Sequence, residues 1–249
     1  MNIPEASICL SAIDEQRFGI RTARISNMTS SMLPAVMDFC RSNKVILLIA
    51  RCLTTEMETV QVMERQGFSL MDTLVYYSRK IPAEPMPSYS TRIRVRPFME
   101  GEEQIIAGIA FECFRGYSGH YHADAKLDSA SCDEVYVSWA LSECASRGKS
   151  KEVLVADVDD TPAGFVTLCV ANPDECEVGL FCVKRLFRGT DAARSLMIQG
   201  MEWGAEKAAV KMLTSTQIVN LASQKVWIRL GFEPDHVYYT FHKWFDEFV

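Results

Sequence analysis

"RQGFSLMDTLVYYSRK" at residues 65–80 returns almost unchanged as "RLGFEPDHVYYTFHK" at residues 229–243. Arg65, Gly67, Phe68 and Val75 to Ser78 match Arg229, Gly231, Phe232 and Val237 to Thr240. In each copy a helical pattern stops at glycine, which takes the left-handed C-terminal cap without a Cβ penalty, and a phenylalanine then begins a strand. Chance reuse of a common helix-to-strand connection would explain the Gly-Phe step alone. The Val-Tyr-Tyr-Ser/Thr match lies beyond the turn that capping demands, so the chain is read as two versions of one fold, the first truncated.

Between the copies lies "KIPAEPMPSYST", Lys80 to Thr91, with three prolines in six residues and no apolar period. It divides the chain into residues 1–81, a linker at 82–90 and a second unit at 91–249. In the first unit "RFGIRTARI" and "KVILLIAR" read as strands, and "SMLPAVMDFCRSN" and "EMETVQVMERQ" as helices with apolar residues three and four apart. The second unit begins with a strand at "RIRVRPF" and helices over about 102–114 and 133–146. An antiparallel meander follows through "KEVLVADV", "GFVTLCVA" and "CEVGLFCV". A helix over about 192–207, a strand "VKMLTST", a helix over about 221–230 and a last strand from Phe232 complete an α/β protein.

Composition narrows the function classes. With 249 residues and 48% hydrophobic side chains, both units can fill a core. The longest apolar run, Val45 to Ala50, is far below the roughly 20 residues that span a bilayer, and "MNIPEASICL" does not read as a leader, so a cytoplasmic protein is expected. Thirty-two acidic against 26 basic residues give no general attraction to nucleic acid or to an anionic membrane. Nine cysteines without a CxxC pair read as reduced core residues, and no metal site is expected.

Chemistry concentrates in "VGLFCVKRLFRGTDAARSLMIQGMEWGAEKA", Val178 to Ala208. A strand ends near Val183, a basic loop follows, and a helix starts near Ala192. Its unpaired N–H groups and partial positive charge suit a pyrophosphate. Lys184, Arg185, Arg188 and Arg194 against Asp191 give the loop a local charge of +3.

The order of these elements resembles the GNAT family, the acyl-CoA N-acyltransferases. Their Arg/Gln-x-x-Gly-x-Gly/Ala pattern maps onto Arg188, Gly189, Thr190, Asp191, Ala192 and Ala193. Their Asn-x-x-Ala-x-x-Leu-Tyr-x-x-x-Gly-Phe pattern maps without gaps onto "NLASQKVWIRLGF", with Asn220, Ser223, Val226, Trp227, Gly231 and Phe232 in place. The resemblance covers Thr91 to Val249. It implies a mixed, mostly antiparallel sheet flanked by helices, preceded by a smaller GNAT-like unit, and acyl-CoA as cosubstrate. The strand from Gly179 to Val183, with Phe181, Cys182 and Val183, would hold the pantetheine arm and supply an oxyanion N–H near Cys182 or Val183, the 188–193 loop the pyrophosphate, and Asn220 the arm's amide.

Two positions depart from the family pattern. Asp191 stands where glycine is usual, and as a helix N-cap it would compete with a ligand for the same N–H groups. Trp227 stands where the family commonly has the tyrosine that protonates the departing thiolate, and an indole N–H donates a hydrogen bond without giving up its proton.

Within the family, the stretch from Val95 to Ala140 is similar to the sugar-nucleotide branch, which acylates dTDP-fucosamine and dTDP-3-amino-3,6-dideoxyhexoses for surface polysaccharides, with acetyl or 3-hydroxybutanoyl groups. His120 and His122 in "SGHYHAD" are the candidate bases, since only histidine titrates unaided near neutrality, with Asp124 to orient one of them. Arg17 and Arg115 are candidates for nucleotide phosphates, Phe18, Tyr117 and Tyr121 for stacking on the base, and Trp139 for the substrate pocket. An acyltransferase for an amino acid, polyamine or peptide amine, and a module that binds acyl-CoA without turnover, are the alternatives. Monomer and homodimer both stay open.

Overall fold

The computed structural model describes residues 7–81 and 92–245, so the linker expected at 82–90 lies outside the described residues. The chain runs β1 (Ile8–Leu10), α1 (Ala12–Phe18), β2 (Thr22–Ile25), α2 (Leu33–Ser42), β3 (Leu47–Leu53), α3 (Met57–Arg65) and β4 (Ser69–Lys80). After the linker come β5 (Ile93–Pro97), α4 (Glu103–Phe114), α5 (His120–Ala123), α6 (Ser129–Ala145), β6 (Lys151–Val158), β7 (Thr161–Asn172) and β8 (Glu175–Val183). The last elements are α7 (Ala192–Glu206), β9 (Lys211–Gln217), α8 (Leu221–Arg229) and β10 (Glu233–Trp244). "RFGIRTARI" is not one strand, as its sequence pattern predicts. Arg17 and Phe18 end α1, Gly19 stops that helix at φ 64° with its N–H on Glu15 O, and the strand begins only at Thr22.

The doubled phrase folds the same way twice. Gly67 and Gly231 both sit at φ 77°, and Phe68 N–H and Phe232 N–H reach back to Met63 O at 3.1 Å and Trp227 O at 3.0 Å. This is the six-to-one bond of a left-handed helix stop. A Cβ at either glycine would cost roughly 1–2 kcal/mol.

Beyond the turn the copies do something that local reasoning does not predict. The strands of the described residues form one sheet in the order β1-β2-β3-β10-β4-β9-β8-β7-β6-β5. Each repeat's last strand has changed places with the other's: β10 pairs with β3, and β4 pairs with β9. The exchanged strands pair antiparallel with each other, and Val75 meets Val237 where the two phrases cross. Each strand carries one irregularity, between Pro234 and Val237 on β10 and opposite Thr240 and Phe241 on β4.

The cores are exchanged with the strands. Val75 and Tyr77 of β4 pack with Leu196, Trp227 and Phe232 of the second repeat. Phe241 of β10 and the nearby Phe245 pack with Met63 and Phe68 of the first. Tyr77 also donates its hydroxyl to Gln224 Oε1 on α8 at 2.9 Å, and Arg79 donates to Leu230 O. Burying a side chain of this size stabilises by about 1.5–3 kcal/mol, so each half lacks several such contributions without the other's strand. Helices α2, α3, α7 and α8 cover one face of the sheet, and α4 and α6 the other.

Residues 1–81 and 92–249, expressed together as separate chains, are therefore expected to co-purify as a one-to-one complex in size exclusion and native mass spectrometry. Independent elution of two folded pieces would show that the exchange does not hold the halves together.

Candidate active site

Parallel strands β8 and β9 pair only at Glu175↔Lys211, Cys176↔Met212 and Glu177↔Leu213, although both continue beyond. The cause lies on the other edge of β8. Its register against β7 slips between Leu168↔Val178 and Val166↔Phe181, placing one extra residue on β8. Such a bulge bends the strand away from its neighbour. Leu180 N–H leaves the ladder and donates to Thr167 Oγ1 at 2.8 Å. The extra residue also flips the side-chain alternation: Cys176 and Val178 face the α7–α8 core, whereas Leu180 and Cys182 face the α4–α6 core. Gly179 sits at this point because a Cβ there would lie 2.8 Å from Thr167 Oγ1 and 3.5 Å from Trp139.

A cavity of about 490 Å³ occupies the splay. Phe181, Gln217 and Trp227 line it from around the opened strands, and Arg17, Arg51 and His120 are among the residues on its remaining walls. Trp227 is 1% exposed, lies 4.8 Å from Phe181 ring to ring, and its Nε1–H is buried without an acceptor among the described residues. Leaving a buried donor unpaired costs about 1–3 kcal/mol, so the wall holds a donor suited to an acceptor atom on a bound molecule.

His120 reaches the cavity backed by a chain of buried groups. Its Nδ1 lies 2.9 Å from His242 Nε2, and His242 Nδ1 lies 2.6 Å from Asp124 Oδ2. Asp124 also accepts from Trp244 Nε1 at 2.9 Å and Lys126 N–H at 3.0 Å. Burial alone would push this carboxyl up, but the bonds from His242, Lys126 and Trp244 hold it below the usual carboxylate range. An ionised Asp124 accepts a hydrogen bond from His242 Nδ1–H, leaving His242 Nε2 bare to accept from His120 Nδ1–H. His120 is then left with a lone pair at Nε2. Burial, then the nearby His242, Arg51 and Arg24, push its pKa well below the ordinary histidine value and keep the ring neutral.

The structure separates the candidates that the sequence grouped. His122 lies outside this cavity, with Nε2 3.0 Å from Asp133, and lines a neighbouring cavity of about 520 Å³ with Asp72 and Gln217. Tyr117, Tyr121, Trp139, Phe181, Asn220 and Trp227 line the main cavity with Arg17 and His120. Tyr121 gives its hydroxyl to Asp14 at 2.8 Å, and Tyr117 gives its own to Gln217. Asp124 is not a wall residue, as a substrate-binding role would require, but sits behind His242. Phe18 packs on Tyr121 away from the lining, and Arg115 is exposed at the end of α4 over the Phe111 ring. Cys182 faces the α4–α6 core beside Cys113, and neither it nor Val183 lines the cavity.

Asn220 is committed within the chain as the N-cap of α8: its Oδ1 accepts from Ser223 N–H at 3.2 Å, and its Nδ2 donates toward Thr216, Ser223 and Tyr117. In the basic loop Arg188 is exposed, Gly189 is left-handed at φ 82°, and Asp191 occupies the N-cap of α7 with no side-chain cap bond. The competition expected from Asp191 is thus absent. Thr190 Oγ1 instead accepts from Ala192 N–H at 3.3 Å, and Ala193 follows in the first turn.

His242 and Arg51 belong to the site although nothing in the motifs singled them out. The only available sign for His242 was its place just beyond the second copy of the doubled phrase, in "YYTFHK".

The Acetyltransferase (GNAT) family profile matches residues 113–232, which hold the bulge, the splay and Trp227. The chain carries a GNAT acetyltransferase domain. The GNAT family uses acetyl-CoA as cosubstrate. Among curated proteins, "Spore coat polysaccharide biosynthesis protein SpsD" of Bacillus subtilis (strain 168) is 24% identical over 154 residues. That match covers 59% of this chain and 52%, about half, of the relative's length. A GCN5-related N-acetyltransferase from Sphaerobacter thermophilus is similar at TM-score 0.66 and 14% identity, over 96% of this chain and 76% of that one. A tandem GNAT protein from the clavulanic acid biosynthesis pathway follows at TM-score 0.62 and 15% identity, over 91% and 76%. At these identities the structures speak to the fold, a mixed, mostly antiparallel sheet flanked by helices. Among the described residues no helix is long and apolar enough to cross a membrane.

Replacing Asp124 by Asn is expected to cost roughly 2–3 kcal/mol near neutral pH, because His242 and Trp244 lose a charged acceptor in a buried site. The folded carboxyl titrates below its unfolded value, so its contribution is present above about pH 4 and is lost as the pH falls through the folded pKa. Urea unfolding of both proteins from pH 7 to pH 3 should show the difference shrinking toward the acid end. A constant difference would mean that Asp124 acts through packing alone.

Proposed function

We propose that this protein moves an acyl group from coenzyme A to the amino group of a dTDP-linked amino-dideoxyhexose, in the synthesis of a surface polysaccharide. The observation that carries the reading is the His120–His242–Asp124 chain ending at the cavity in the strand splay. A module that only binds acyl-CoA has no use for such a chain. The sugar acceptor draws support from the likeness of the "SGHYHAD" region to the sugar-nucleotide branch and from the curated relative's name. In chain order we keep 1–81 and 91–249 as the two repeats, with the splay in the second.

The residues fit the cosubstrate. Trp227 offers a buried N–H without an acceptor, and β8 offers a backbone edge released from β9. We place the pantetheine arm along Gly179 to Phe181 and the pyrophosphate at the 188–193 loop ahead of α7. Bound acyl-CoA supplies the activated acyl group as a thioester.

His120 Nε2 then takes the proton that the acceptor nitrogen sheds as it forms the amide. His242, held by Asp124, fixes the orientation of the ring and keeps the His120 proton on Nδ1, so that Nε2 is the nitrogen free to act. Trp227 can stabilise a departing sulfur by hydrogen bonding but cannot protonate it. Alignment of two bound reactants is worth about 7–11 kcal/mol, against the 10²- to 10⁴-fold typical of acid–base assistance, so catalysis survives without that acid.

Screening dTDP-amino sugars against several acyl-CoAs by mass spectrometry tests the assignment. Acylated sugar nucleotide is expected, and turnover only with amino acids or polyamines would replace the proposed acceptor. His120→Ala should lower kcat by 10² or more, His122→Ala should leave kcat nearly unchanged, and Trp227→Phe should keep it within about tenfold. The base must be neutral to act, and the low pKa of His120 keeps it so below the usual histidine midpoint near 6.5. The acid limb of kcat/KM is therefore expected below that pH, and a limb above it would exclude His120 as the base.

A further inference from the structure

Arg17, Arg24, Arg51 and Lys151 line the main cavity, together with Glu143 and Glu177. Most of these charges are matched. Lys151 is 3.2 Å from Glu143, and Arg24 grips Asp14 at 2.5 and 2.8 Å. Arg17 gives Nε to Ser138 at 2.8 Å, but its Nη2 is buried with no acceptor. Arg51 is less satisfied still: its Nε is buried with no acceptor, and no described residue forms a hydrogen bond or ion pair with its side chain. A chain with 32 acidic residues against 26 basic ones does not leave a guanidinium unmatched for want of carboxylates.

Its position sharpens the point. Alternation along β3 sends Leu47 and Ile49 into the α4–α6 core, and Arg51 is the next residue on that face, where an apolar side chain would be the default. Arg51 lies close enough to lower the basicity of His120, so its charge acts beside the proposed base. Glu177, the remaining carboxylate of the lining, forms no ion pair with Arg51: burial and Glu175 push its carboxyl up, and the more distant charge of Arg51 offsets this only in part.

We propose that Arg51, assisted by Arg17, binds an anionic group on the amine-bearing substrate, a diphosphate or a carboxylate held within one small molecule's length of the nitrogen. The proposal rests on reading this cavity as the acceptor chamber. It assigns anion recognition to the first repeat, while His120, the β8 edge and Trp227 come from the second. A guanidinium forms two parallel charge-assisted hydrogen bonds with either anion, which matches a side chain whose donors are left open.

Calorimetry on the full chain with coenzyme A saturating, so that its own phosphate site is filled, separates the sources. dTDP probes a diphosphate and N-acetylglycine a carboxylate, each titrated into wild type, Arg51→Gln, Arg51→Lys and Arg17→Gln. The wild type is expected to bind one probe, Arg51→Gln to weaken it tenfold or more, and Arg51→Lys to recover part of the loss. Coenzyme A affinity should stay within twofold, and the Arg51→Gln midpoint of thermal unfolding should fall little, because no described residue forms a hydrogen bond or ion pair with the Arg51 side chain. Binding of neither probe, or an affinity that Arg51→Gln leaves unchanged, overturns the proposal. Arg51-dependent dTDP binding without turnover of any dTDP-amino sugar would instead sink the proposed reaction and leave the anion site standing.

Discussion

The antiparallel pairing of β4 with β10 is the contact on which the rest of the molecule depends. Each strand belongs by sequence to one repeat and by packing to the other, so the hydrophobic term that stabilises either half is completed only when both halves are present. One continuous sheet results, and it carries Arg51 on β3 to the wall of a cavity opened between β8 and β9, and His242 on β10 to the ring behind His120.

The cavity itself depends on one extra residue. Inserting it at Gly179–Leu180 turns the alternation of β8 over, ends the parallel ladder at Glu177, and leaves a gap that helices from both faces of the sheet can reach. Thr167 satisfies the N–H that the bulge takes out of the ladder, which makes the distortion tolerable. Trp227 enters the gap from one face and His120 from the other. The gap thus joins a donor that has no partner to a base that has a chain of them.

The electrostatics of the site follow from unequal satisfaction. Asp124 receives three hydrogen bonds and stays ionised, and that charge fixes which nitrogens of His242 and His120 carry protons. Arg24 is neutralised by Asp14 and Lys151 by Glu143, whereas no described residue forms a hydrogen bond or ion pair with the Arg51 side chain. In a low-dielectric chamber the unmatched groups interact most strongly with an incoming molecule.

Local chemistry was legible in the residues. Gly67 and Gly231 announced two helix stops, the alternation from Lys151 to Val183 announced the meander, and "NLASQKVWIRLGF" placed Asn220 and Trp227 on one helix after one strand. Glycine capping, strand alternation and motif spacing are set by neighbours a few residues away, and so they can be read from the chain. Even there, Gly19 ended a helix where a strand was expected, because a stop signal outranked a short apolar pattern. What the sequence could not reveal was which strand each repeat would keep, that His120 rather than His122 would face the cavity, and that Asp124 would reach it through His242. Those outcomes rest on contacts between residues more than a hundred positions apart in the chain, such as His120 with His242, 122 apart, and Asp124 with His242, 118 apart. Only the continuous sheet brings such residues together, because the free energy that holds them there is the burial of the whole exchanged core.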